Sequence, residues 1–399
     1  MLLQRCRRFS YLYGKRKNPY RLQDVVYISV TSDVATDQRV LRTARTLDLS
    51  GRPVHIIGRL LPDSLPVNDL PFRVTRFRLV FRRGFAFYAC FTVRLFFFLL
   101  FRKKAFLVAN DLDTLFPNFL VSRIRKWPLV YDSHEYFTGV PALCHRRGVR
   151  WFWKQIEKLT VPRIPVRITV NRSISELYRQ EYGVAFHVIR NMPPLWRPDK
   201  KQTRTGLGLP GEAPILVLQG TGINRDRGAE ELVHSMAYLP DVYLLIIGGG
   251  EVLPLLKQIC SEKGIGGRVL FTGKMPYVQM MQYTSVSDLG LSLDKDTGLN
   301  QRYSLPNKLF DYIQAGIPVL ASPLPEVRNI VETYGIGELL RSFDPEQMAD
   351  QIRSMLRNRE KREQWKKSLL KAASTLCWEK ERNELIRVFR QAGISFPPV

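Results

Sequence analysis

Asn307, Lys308 and Asp311 place an amide, a cation and a carboxylate close together in the chain, a set able to hold an anion and the hydroxyls attached to it. They fall within SLPNKLFDYIQAGIPVLAS, Ser304 to Ser322, which reads as a polar loop, a short helix, a glycine stop and a buried strand. Leu309, Phe310 and Ile313 share one face at helical spacing. Gly316 supplies a left-handed cap, and Pro318 with the following Val-Leu run rejects further helix. The polar residues thereby fall near a helix N-terminus, whose partial positive charge favours anions.

A second set lies in GTGINRDRGAEELVHSM, Gly220 to Met236, which leaves a strand, crosses a glycine turn and enters a helix. Backbone N–H groups and either Arg225 or Arg227 could face phosphates there, or the two arginines could be solvated charges around the helix cap. Gly248, Gly249 and Gly250 follow another strand and precede a helix expected to begin at Glu251; they could admit a phosphate or only turn the chain. A third set, YDSHE, puts Asp132, His134 and Glu135 at the carboxyl end of a strand, where open parallel sheets keep their ligands. The loop TSDVATDQRV leads into a helix with Thr36 as expected N-cap, Asp37 beside it and Arg39 at the third helical position. Neither domain opens on a G-x-G-x-x-G with a downstream ribose acid, which argues against a nicotinamide enzyme.

These residues need a scaffold, and the chain supplies one twice. From Asp24 the strands VVYISV, VHIIG, FLVAN, LVYDS, RITV and HVIRN alternate with amphipathic helices, the signature of a parallel sheet with covering helices. NMPPLWRP, Asn191 to Pro198, interrupts both patterns, because its prolines remove donors and impose extended backbone. The alternation restarts with PILVLQG, VYLLIIGGG, RVLFTG, SDLGLSL and IPVLAS, a second Rossmann-like unit. After Asp344 the pattern is helical, and Trp378 opens a last amphipathic segment. The expected division is a basic leader over 1–20, a first domain over 21–190, a second over 191–377 and a terminal helix over 378–399.

At 399 residues the chain is long enough for two domains, and its 45% hydrophobic content supports full folding. A net charge of +25 asks for an acidic partner: nucleic acid, anionic lipid or a phosphorylated substrate. Nucleic acid fits poorly, since the aromatics form one apolar block instead of interleaving with cations along a surface. The five scattered cysteines form no C-x-x-C pair, so neither zinc nor a disulfide framework is indicated, and a reducing cytoplasm is the simplest setting. The leader has no apolar signal region. Phe85 to Phe101, FAFYACFTVRLFFFLLF, is nearly all apolar between basic flanks but is short for a span and is interrupted by Arg94. It is either a helix packed on the sheet or one lying at an anionic bilayer surface.

The serine-proline-asparagine-lysine-like run before an acidic residue and AGIPV resembles the donor segment of retaining, nucleotide-sugar glycosyltransferases of family 4, with the GT-B fold. DVVYISVTSDVATDQRVLRTARTLDLSGRPVHIIGR and VYDSHEYF resemble that family's opening and mid-domain segments. The resemblance implies an α/β architecture of two Rossmann-like domains facing a central cleft, with the C-terminal helix crossing back to the first. It implies His134 at the reacting sugar, and Arg227, in place of the family's lysine, with Lys308 on the diphosphate. It further implies donor contacts from Gly220, Arg225, Lys274, Ser304, Asn307 and Asp311, the last to the ribose, and an acceptor side formed by Asp37, Arg39 and Asp132. The family's paired-glutamate motif is altered here, with Tyr303 at its first place and Asp311 at its second; Asn300, Gln301 or Ser304 could take over the grip on the sugar, or only cap the next helix.

The expectation is a metal-independent, cofactor-free transfer of a sugar from a nucleoside diphosphate to a hydroxyl on a lipid-linked or cell-envelope glycan, by a cytoplasmic protein peripheral at the inner face of the plasma membrane. Fixed cations replace a divalent ion. Without a carboxylate nucleophile, same-face substitution is expected in place of a covalent intermediate. A nucleotide-sugar 2-epimerase and a binding protein with a decayed active site are the alternatives.

Overall fold

The computed structural model describes residues 24–35, 37–62, 64–140, 143, 146–198 and 202–397. The expected leader, the Thr36 cap, Cys6 and Cys144 lie outside them. Two sheets form the scaffold. The first contains β1 (Val25–Ser29), β2 (Val54–Arg59), β3 (Arg73–Phe77), β4 (Ala105–Asn110), β5 (Leu129–Ser133), β6 (Val166–Thr169) and β7 (His187–Val188), in the order β3-β2-β1-β4-β5-β6-β7. The second contains β8 (Ile215–Gly220), β9 (Tyr243–Gly248), β10 (Val269–Gly273), β11 (Leu289–Ser292), β12 (Val319–Ala321) and β13 (Gly337–Leu339), in the order β10-β9-β8-β11-β12-β13.

The strand pairings are parallel, as in β1 with β2 and β4 and in β8 with β9 and β11. Each sheet reverses its winding beside its first strand, the doubly wound arrangement. Central strands are covered on both faces, which is why they read as continuous apolar runs: all of β4 and β5 is buried.

The chain divides into two compact units, described residues up to Val130 with those from Phe389 in one, and Tyr131–Val388 in the other. In the first unit, Val26, Ile28, Ile56, Ile57, Leu107 and Val108 form the middle of the core. The helix Gly84–Leu100 buries Phe87, Phe91, Leu95 and Leu99, four residues apart, so one stripe of the aromatic segment is core. Arg94 folds back, its guanidinium 4.7 Å from the Phe77 ring and its Nη1 donating to the Arg78 carbonyl at 2.8 Å. Among the described residues no helix is long and apolar enough to cross a membrane. Phe389 meets Phe106 edge to face, 6.3 Å between centroids.

Two helix starts differ from expectation. The first helix runs Gln38–Asp48 with Asp37 as N-cap, its Oδ1 accepting from Val40 N at 3.1 Å, so Arg39 is the second helical residue and is buried. A carboxylate satisfies the free N–H better than a threonine hydroxyl would. The helix expected from Glu251 runs Leu253–Glu262, and Glu251 N donates to Asn224 Oδ1 at 3.1 Å in the turn before it.

The second unit has its own core around Leu216, Leu218, Leu245, Leu291, Phe310 and Leu320. The proline-rich run after β7 is tied down: Leu195 N donates to Glu379 at 3.2 Å and Trp196 N to Gln314 Oε1 at 3.1 Å. Trp378 N donates to the Pro193 carbonyl at 2.8 Å, at the start of the helix Trp378–Gln391.

Candidate anion site at the carboxyl ends of the second sheet

Asp294 lies two residues beyond β11 and is 1% exposed. Arg227 Nη1 donates to its Oδ1 at 2.7 Å, and Lys308 Nζ stands 3.5 Å from its Oδ2. Arg227 comes from the loop after β8, and Lys308 is the second residue of the helix Asn307–Ala315. Three separate segments thus converge on one carboxylate. Burial alone would raise the Asp294 pKa, but Lys308 and Arg227 outweigh it and hold the group below its ordinary value. Asp294 therefore stays ionised and fixes the spacing of two cations, leaving the trio with one net positive charge.

Local sequence explains how the three segments come so close. Gly228 has φ +67°, and a Cβ there would sit 2.5 Å from the Leu293 carbonyl, so only glycine lets the Arg227 loop lie against the end of β11. A Cβ on Gly290 would stand 2.4 Å from the Tyr312 ring, and Tyr312 Oη donates toward the Leu291 carbonyl at 3.0 Å. These contacts seat the Asn307–Ala315 helix under β11 and point its N-terminal residues toward the strand ends. Gly316 caps the helix in the left-handed region, φ +73°, as its type predicts.

Asp311 sits one turn into that helix and is nearly buried. Its Oδ2 accepts from Gln219 Nε2 at 3.0 Å and its Oδ1 from Tyr277 Oη at 2.9 Å. Gln219 is oriented in turn by Thr284 Oγ1, which donates to its Oε1 at 2.7 Å. These bonds orient the Asp311 carboxylate. Asn307 is exposed, and Ser304 Oγ is buried without a hydrogen-bond partner among the described residues.

The glycine loops divide their work. A Cβ on Gly248 would stand 1.8 Å from the Gly220 carbonyl, and one on Gly250 would stand 2.0 Å from the Ile223 carbonyl. Gly249 N donates to Gly220 O and Ile223 N donates to Gly249 O. The three glycines therefore bring two backbones together, and the Gly249 N–H is spent on that contact. Lys274 lies across this turn, since a Cβ on Gly249 would come within 2.7 Å of its Cε. Arg225 is exposed, with its backbone N on Glu251 Oε1 at 3.2 Å. A cavity of about 310 Å³ opens beside the ends of β9 and β10, lined by Gly248, Leu253, Lys257, Phe271 and Gly273.

His134 follows β5, its Nε2 3.5 Å from Oδ2 of the buried Asp132. The next residue, Glu135, accepts from Asn300 Nδ2 at 2.9 Å, and Asn171 Nδ2 donates to the Tyr303 carbonyl at 2.7 Å. Asn300, one of the residues considered for the missing acid, is thus engaged in holding the His134 loop. In the first unit, Asp37 is the helix cap described above and also accepts from Ser32 Oγ at 2.5 Å. Gln219, Tyr277 and Asp294 were missed by sequence reasoning; the one legible signal was an acid directly after the buried run SDLGLSL. Among the described residues no three His, Cys, Asp or Glu side chains gather at metal spacing.

Two doubly wound parallel sheets, the second with two cations and an oriented carboxylate at its strand ends, define an α/β protein of the GT-B fold class. Residues 199–372 match the family model of Glycosyl transferases group 1, and this part of the chain is a glycosyltransferase domain of that group. The lipopolysaccharide core biosynthesis glycosyltransferase LpsE of Rhizobium meliloti is 36% identical over 70 residues, 18% of this chain and 20% of that protein. A GDP-mannose-dependent alpha-(1-6)-phosphatidylinositol monomannoside mannosyltransferase of Mycolicibacterium smegmatis is 25% identical over 203 residues, 47% of this chain and 52% of that protein. The chain thus spans about a fifth and about half of the lengths of these two curated relatives. In fold it is similar to sucrose-phosphate synthase from Thermosynechococcus elongatus, with a TM-score of 0.75 at 18% identity, over 92% of this chain and 99% of that one.

Proposed function

We propose that the chain transfers a sugar from a nucleoside diphosphate sugar to an acceptor hydroxyl with retention of anomeric configuration. The observation that carries this reading is the convergence of Arg227 and Lys308 on buried Asp294. When a donor binds, its diphosphate takes over the free donors of both cations, which Asp294 has already spaced. As the glycosidic bond breaks, negative charge grows on the departing phosphate, and fixed cations stabilise it without reorganisation. No metal is assigned to this step. Asp311, aimed by Gln219 and Tyr277, accepts from the ribose hydroxyls, and the cavity beside β9 and β10 receives the base. His134 donates a hydrogen bond to the transferred sugar. Asp132 holds its ring, and the leaving phosphate takes the acceptor proton in a same-face substitution.

The names of the two curated relatives point to lipid-bound or envelope glycans as acceptors. The first unit supports a peripheral position at the inner face of the plasma membrane, because Phe85, Val93, Phe97 and Phe101 are exposed on a helix with basic flanks. Arg39, being buried, supports the helix start next to Asp37 instead of reaching an acceptor.

A thermal-shift screen of nucleoside diphosphates and their sugars tests the donor assignment, since a ligand of the native state raises the melting temperature. A shift confined to one base, followed by an NMR assignment of the product anomer, is the expected outcome; no shift with any nucleotide sinks the reading. Incubation with donor alone separates transfer from 2-epimerisation. Tyr303 at the place of the usual acid favours the decayed-site alternative, which predicts binding without turnover.

A further inference from the structure

A cavity of about 490 Å³ lies in the first unit at the carboxyl ends of β2 and β3. Arg59, Arg78 and Arg82 line it together with Phe77, Phe81 and Phe87. No carboxylate is among its described lining residues, and residues 70–104 contain no Asp or Glu at all. The Arg59 guanidinium lies 4.9 Å from the Phe87 ring centroid, and its buried Nε has no hydrogen-bond partner among the described residues. Arg94 fixes the mouth by donating to the Arg78 carbonyl. Arg59 thus carries a buried, unpaired N–H, which is costly, and an anion in the cavity beside it would satisfy that donor with the exposed Arg78 and Arg82 at hand. The volume suits a small ligand. Beyond the rim, Val80 is 91% exposed, Phe81 50% and Phe85 75%.

We propose that this cavity binds the phosphate of an anionic phospholipid, with Arg59, Arg78 and Arg82 on the phosphate oxygens and the phenylalanine walls against the first carbons of the chains. Arginine forks match phosphate geometry, and the apolar walls select a phosphate that carries hydrocarbon over a free one. The exposed Val80, Phe81 and Phe85 lead from the rim toward the acyl region. The site rests on the bilayer-facing reading above only for the source of its lipid.

The test is calorimetric titration of the full chain with dihexanoyl phosphatidic acid below its micellar concentration. One saturable site is expected, weakened roughly tenfold or more in Arg59→Gln with Arg78→Gln as two charge-assisted contacts are lost. Lys103→Gln with Lys104→Gln, which removes equal charge outside the cavity, should leave affinity within about twofold. Phe81→Ser should weaken the lipid and leave inorganic phosphate unchanged. Absence of saturable binding, equal loss in the lysine control, or phosphate binding as tight as the lipid overturns the site. Flotation with phosphatidylcholine vesicles, with and without phosphatidylglycerol, separates the two readings. Monomer binding without flotation sinks the bilayer reading alone, and charge-dependent flotation without monomer binding sinks the site alone.

Discussion

The two arginine-rich regions of this protein hold their cations in opposite ways. Beside β11, Arg227 and Lys308 are pinned by buried Asp294, so their spacing is set by charge. Around the cavity at β2 and β3, Arg59 stacks on Phe87 with no carboxylate in the described lining, so its position is set by packing. The first arrangement suits a catalyst, whose cations must be in place before charge develops. The second has no compensating carboxylate among its described lining residues, and its proposed complement is an anion that stays.

The most damaging change should be Lys308→Ala, which removes one of the two paired cations. By analogy with the loss of one preorganised donor, kcat should fall roughly 10²–10³-fold, read in a donor-consumption assay. An unchanged kcat would place Lys308 outside the reaction. Next is Asp294→Asn, which leaves two cations without their shared counter-charge. Because Arg227 and Lys308 are partly solvated, about 1–3 kcal/mol of stability should be lost in urea unfolding, less than for a fully buried pair. A neutral result would show that loop packing alone sets the spacing. Tyr277→Phe removes one hydrogen bond to Asp311 and should weaken nucleotide binding by about 1 kcal/mol, roughly fivefold in Kd.

The pH dependence of stability distinguishes the two units. His55 is in the first unit's core, on Thr75 Oγ1 at 2.8 Å, where burial and then Arg73 and Arg102 push its pKa from 6.5 down to about 4. The unfolded chain therefore takes the proton first, and the first unit should lose stability as pH falls from 6.5 toward 4. Asp294 is held below its ordinary 3.8, so its contribution is present above that value and lost as pH falls below it. Hydrogen exchange across this range should show the first unit loosening before the second. His55→Gln should flatten the earlier phase, and a parent protein without that phase would contradict the assignment.

Much of the scaffold was legible because parallel strands buried on both faces must be continuously apolar, and because Gly316 can end a helix in a conformation other residues resist. The aromatic segment was only half legible. Its composition fixed a helix, but the division into a buried stripe through Phe91 and Leu95 and exposed Phe97 and Phe101 depends on which face the sheet covers. At the first helix the cap is Asp37, whose carboxylate bonds the Val40 N–H, and composition does not choose between adjacent cap-type residues.

The site divides along the same line. By itself the sequence determined two alternating α/β halves, a strongly cationic chain, and the local set of Asn307, Lys308 and Asp311 at a helix start, since each depends on neighbours a few positions away. Only the tertiary structure decided that Arg227 and Lys308 share Asp294, that Gln219 and Tyr277 aim Asp311, and that Arg59, Arg78 and Arg82 ring one cavity. Those partners come from segments far apart in the chain, and a carboxylate's neighbours across a sheet are set by strand order and close glycine contacts, which no local pattern encodes.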